Sequence, residues 1–69
     1  MVKVVVSIAD SSLGRMDAVV AGLKAAGMVV DDVMEALGMV TGGVAESAMG
    51  RLKAVPGVDE VERQRAVGL

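Results

Sequence analysis

Sixty-nine residues with seven basic and nine acidic side chains suffice for one domain, and exclude a second domain or a site deep enough to enclose a large substrate. The composition is 54% hydrophobic yet holds no Phe, Tyr, Trp, Cys or His, which removes disulfides, thiolate ligation, the commonest metal ligand and the neutral-pH proton shuttle. A formal net charge of −2 with scattered Lys and Arg argues against nucleic acid as a partner, because phosphate backbones require clustered cations.

Val2, Val4, Val6 and Ile8 fall on one side of an extended segment and Lys3, Val5 and Ser7 on the other. Residues 2–9 are therefore predicted as a strand rich in β-branched side chains. Asp10-Ser11-Ser12 supplies N-cap chemistry ahead of Leu13, Met16, Val20 and Leu23, whose spacings describe an amphipathic helix. Gly27 ends that helix in the left-handed conformation that glycine adopts without steric cost. Residues 28–37 are predicted as a strand: the Val29-Val30 pair and the weak helix formers Asp31-Asp32 outweigh a helical spacing of Val29, Val33 and Leu37. Gly38 then turns the chain into a second strand of a hairpin over 39–44, which Gly42-Gly43 weakens or bulges. Residues 46–54 read as a second helix, with Ala45, Ala48, Leu52 and Val55 on one stripe, Met49 beside it, and Pro56-Gly57 as the stop. Residues 58–65 resume a strand, and Ala66-Val67-Gly68-Leu69 forms an apolar tail.

Strand, helix, strand, strand, helix, strand is the order of two split βαβ units. They close into an α+β, ferredoxin-like βαββαβ sandwich: a four-stranded antiparallel sheet with two helices on one face. The domain spans residues 1–65 and the tail 66–69. Right-handed crossovers set the first and third strands in the centre. With Val29, Val33 and Leu37 turned to the helices, Met28, Val30, Asp32 and Met34 point to the open face, joined by Val5 and Met39. Methionine repacks readily, so this face suits a partner contact; a one-residue slip of register would instead turn the same residues inward.

Little else carries chemistry. Ser7, Ser11, Ser12 and Ser47 have no His to act as base. Gly42-Gly43 lacks the flanking pattern of a phosphate loop. Asp31-Asp32 with Glu35 is more a solvated strand edge than a cation cage. A Schiff-base aldolase is excluded by size, since its lysine is desolvated inside a barrel of roughly 200 residues or more. No catalytic residue, metal or cofactor is expected. The longest charge-free stretch, residues 36–45, is too short to span a membrane. The N-terminus lacks signal-peptide organisation, and a cytoplasmic location is expected.

Four stretches resemble the subtilisin propeptides and the stand-alone serine-protease inhibitors built on the same domain. They are the opening strand Val2-Lys3-Val4-Val5-Val6, the helix end Ala26-Gly27-Met28-Val29, and the hairpin end Met39-Val40-Thr41-Gly42. The last is the helix, turn and strand from Ser47 through Pro56-Gly57-Val58 to Asp59-Glu60-Val61-Glu62-Arg63-Gln64. The resemblance implies a binding protein that inhibits, or assists the folding of, a subtilisin-like serine protease. Its open sheet face, with Val30, Met34 and Met39, would rest on two protease helices, and its tail would occupy the substrate cleft. Glu62 matches the first of two acids that cap those helices, and Gln64 stands at the second position, keeping an acceptor without the charge. Ala66, Val67, Gly68 and Leu69 match the cleft-binding tail. Aligned without gaps, Leu69 falls at the penultimate position; shifted by one, it fills the primary specificity pocket, with Ala66 in the fourth subsite. With no protease following Leu69, a free-standing inhibitor is favoured over a chaperone. The alternative is a non-catalytic assembly module that homodimerises through its open face.

Overall fold

The computed structural model of the chain describes residues 1–64, in which four strands and two helices follow the anticipated order. The first strand, β1 (Val2–Ile8), buries Val4, Val6 and Ile8. Ala9, expected in the strand, leaves it and donates its N–H to the Gly57 carbonyl at 2.8 Å.

Asp10-Ser11-Ser12 does not cap a helix. The chain passes from Ala9 into a 3-10 turn, Asp10–Arg15, without a side-chain capping bond, and α1 runs only from Met16–Ala25. A 3-10 turn advances three residues per turn instead of 3.6, so the stripe counted from Leu13 loses its phase. Met16, Val19 and Leu23 are buried, Val20 is half-buried and Leu13 is exposed. At the other end Gly27 has φ 106°. The Gly27 N–H donates to the Lys24 carbonyl and the Met28 N–H to the Leu23 carbonyl, each at 3.0 Å. This is the Schellman pattern, whose companion apolar contact joins the residues corresponding to Met28 and Leu23. Both belong to the core, so Met28 lies inside and not on the open face.

β2 is shorter than expected, Val29–Met34, because Glu35–Leu37 forms a 3-10 turn. Gly38, at φ 64°, reverses the chain into β3 (Met39–Val44), which has the expected bounds. The second helix is also shorter: a 3-10 turn, Glu46–Ala48, precedes α2 (Met49–Lys53). Ala48 and Leu52 of its stripe are buried and Val55 half-buried, whereas Ala45 is exposed. Gly57, at φ 95°, leads into β4 (Val58–Arg63); Gln64, expected in the strand, lies just past it, and residue 65 is outside the described residues.

The sheet order is β2-β3-β1-β4 with every pair antiparallel, which puts the first and third strands in the centre. Eleven aliphatic residues form the core between sheet and helices, and no polar side chain is buried among the described residues. No helix of the described residues is long and apolar enough to cross a membrane.

One irregularity decides which residues face outward. Val30 stands opposite Gly42 and Asp32 opposite Thr41, leaving Asp31 as an extra residue in β2. Such a bulge shifts the alternation by one. Val30 and Val33, three apart in sequence, therefore both pack on the core, while Val29 and Leu37 are exposed. The expected facing is thus reversed for Val29 and Val30 and kept for Val33, Asp32 and Met34, whereas Leu37, expected to face the helices, lies in the 3-10 turn after β2 and is exposed. Gly42 faces the core opposite Val4, where a Cβ would meet the Val29 carbonyl oxygen and the Met28 methyl.

Candidate functional site: the open sheet face

Strand register sets the open face out in three rows across the sheet. The first runs Met34, Met39, Ser7, Glu60; the second Asp32, Thr41, Val5, Glu62; the third Val29, Gly43, Lys3. Directly opposed residues in an antiparallel pair project from the same face. Val5, Met34 and Met39 are half-buried by their neighbours, and no described helix covers them. They make an apolar centre with carboxylates at both edges, Asp32 on β2 and Glu60 and Glu62 on β4. Three strand spacings separate those edges, about 14 Å.

Gly43 gives the third row its shape. The Met1 side chain lies over it, with the sulfur 3.1 Å from where a Cβ would stand, and beside it the Lys3 Nζ meets the Asp31 carboxylate at 2.7 Å. The two side chains are 63% and 48% exposed, so the pair contributes at most about 1 kcal/mol; its effect is to lay the lysine stem along the face. On the helix side Arg63 points the other way, with its guanidinium 3.7 Å from Glu46 and 3.9 Å from the Met49 sulfur.

The expected site residues divide accordingly. Met34 and Met39 lie on the open face, directly opposite one another, and Glu62 stands beside Val5. Gln64 continues the ladder past β4, donating its N–H to the Lys3 carbonyl at 2.8 Å. Val30 is withdrawn from the face by the bulge. Ala66, Val67, Gly68 and Leu69 lie outside the described residues. Val29 was expected to face the helices, and Ser7, Thr41 and Glu60 were not among the expected site residues. The alternation of β4 signals Glu60 once Glu62 is chosen, and the hairpin signals Thr41 between Met39 and Gly43. Val29 had no such signal, because the bulge inverts its facing.

The rest of the surface offers little reactive chemistry. No three His, Cys, Asp or Glu residues among the described ones come close enough to hold a metal, so Asp31, Asp32 and Glu35 do not gather into a cation site. Gly42 and Gly43 are paired within the sheet and cradle no anion. A groove of about 400 Å³ beside α1 and β2 has Met16, Val20 and Val33 in its walls and Asp17, Lys24 and Glu35 at its rim. Another, of about 300 Å³, joins Ser12, Arg15, Val19 and Gly57; its serine has no base beside it. No model of a known protein family matches the chain, and no curated protein matches it. What the open face offers is contact: a pliable apolar centre between two acidic edges.

Proposed function

We propose that the chain is a cytoplasmic, propeptide-like inhibitor of a subtilisin-type serine protease, acting by binding and not by catalysis. The observation that carries this reading is the uncovered sheet face, on which Val5, Met34 and Met39 lie side by side with Glu62 at the β4 edge. Removing the apolar surface of such a patch from water contributes about 25 cal/mol per Å², and the unbranched methionine side chains adapt to a partner's relief. In the family that the sequence resembles, this face rests on two protease helices. A carboxylate at the position of Glu62 then meets unsatisfied N–H groups and the positive end of a helix dipole. Gln64, at the second capping position, supplies an oxygen acceptor, and residues 66–69 supply the strand that enters the substrate cleft.

The test is enzymatic. Added in excess to subtilisin, the chain is expected to slow peptide-substrate hydrolysis. Deleting Ala66–Leu69 should abolish that effect, and Met34→Lys should weaken it at least tenfold. Undiminished hydrolysis at high micromolar concentrations of folded protein rejects the reading.

A further inference from the structure

We infer that the open face is built to receive a protein surface whose apolar centre is flanked on both sides by Lys or Arg, and that it repels a second copy of this chain. The inference rests on reading the face as a docking surface, and adds the charge of the partner and the exclusion of self. Among the described residues, the side chains of the open face comprise one cation, Lys3, and four carboxylates, Asp31, Asp32, Glu60 and Glu62, a side-chain net charge of −3. Asp59, left unpaired by a register shift in β4, belongs to neither set, and the other described charged side chains number five basic and four acidic. The negative charge of the described side chains is therefore concentrated on the uncovered face.

Its arrangement is as informative as its sign. Lys3 is engaged by Asp31 at 2.7 Å, whereas Asp32, Glu60 and Glu62 have no ion pair among the described residues. Asp32 and Glu62 end the same row on opposite edges, with Thr41 and Val5 between them. A partner that covers the row meets an acid at each end and apolar surface in the middle. Stacking two such sheets brings the faces to about 10 Å, where each places its net charge of −3 against the other. The screening length is also about 10 Å at 0.1 M salt, so that repulsion survives in ordinary buffers. A surface with basic flanks converts the same carboxylates into attraction and speeds the encounter.

The experiment uses the full chain and two helix-forming peptides that share one leucine face, one peptide flanked by lysines and the other by glutamates. Side-chain methyl resonances of Val5, Met34 and Met39 report binding at the face. The lysine peptide is expected to shift them, with affinity falling at least tenfold between low salt and about 0.5 M salt, where the screening length drops to a few ångströms. The glutamate peptide is expected to leave them unmoved. The triple substitution Asp32→Asn, Glu60→Gln, Glu62→Gln changes only exposed side chains and should cost the lysine peptide at least tenfold in affinity. In sedimentation equilibrium the same variant should self-associate where the unsubstituted chain stays monomeric. Equal binding of both peptides, salt-independent binding, or a low-salt dimer of the unsubstituted chain that perturbs these methyls overturns the inference. Subtilisin hydrolysis separates the two readings: no inhibition with lysine-peptide binding intact refutes the protease reading alone. Inhibition that ignores both salt and the triple substitution refutes the charge inference, together with the capping role of Glu62, and leaves the protease reading resting on the apolar face and the tail.

Discussion

Gly42 and Gly43 are neighbours in β3 that face opposite sides of the sheet and meet opposite surroundings. A Cβ on Gly42 would run into the Val29 carbonyl oxygen, a backbone atom that moves only if the bulge in β2 moves with it. A Cβ on Gly43 would lie 3.1 Å from the Met1 sulfur, and Met1, at 83% exposure, has room to swing aside. Gly42→Ala should therefore destabilise the fold by about 1–3 kcal/mol, the usual cost of forcing an atom into filled space. Gly43→Ala should leave stability unchanged or raise it by about 0.4–1 kcal/mol, since alanine restricts the unfolded chain. Urea unfolding reads both as shifts of the midpoint at unchanged slope. Equal losses at the two positions would contradict the assignment of Gly42 to the core side and Gly43 to the open side.

At the scale of the element, the bulge in β2 determines what the hairpin presents. Val30 packs on the core while Val29 is 53% exposed, although unbroken alternation from Val33 would have reversed them. Val30→Ala should lower stability by about 1–2 kcal/mol, near 0.8 kcal/mol for each buried methyl-sized group lost. Val29→Ala should stay within about 0.5 kcal/mol. A larger loss at Val29 in thermal or urea unfolding would mean that the strand runs without its bulge. The order of elements was legible because it is written in local signals: alternating valines in β1, Gly27 and Gly38 at positive φ, and Pro56-Gly57 ahead of β4. Met34 and Met39 could be assigned to the open face for the same reason, as each keeps the parity of its own strand, whereas Glu62 was singled out by the family resemblance. Val30 and Met28 could not be assigned in this way. One inserted residue inverts the parity of the first, and a hydrogen bond from Met28 back to Leu23 draws the second inward. The misplaced stripe from Leu13 has a related origin, since a 3-10 turn has a different angular step from the helix it precedes. Periodicity along the chain does not encode pairing across it.

For the whole molecule, the apolar side chains among the described residues are divided between a core of eleven and positions outside it, chief among them the patch around Val5, Met34 and Met39. The division limits stability, because apolar surface left in water contributes nothing to holding the chain folded. At roughly 0.05–0.15 kcal/mol per residue, a chain of this length is stable by about 3–10 kcal/mol. Leu23 and Leu52 are the largest side chains with no exposed surface, and no aromatic ring shares their task. Truncating a fully buried leucine costs about 2–5 kcal/mol through lost burial and the cavity left behind, a large fraction of that total. Leu52→Ala should therefore melt tens of degrees below the unsubstituted chain, or lack a cooperative transition altogether at the lower end of the range. Leu37→Ala, at a side chain 68% exposed, should melt within a few degrees of it. Circular dichroism through thermal unfolding of the two variants decides the matter. A native spectrum and an undiminished midpoint for Leu52→Ala would mean that the core is not what holds the molecule together.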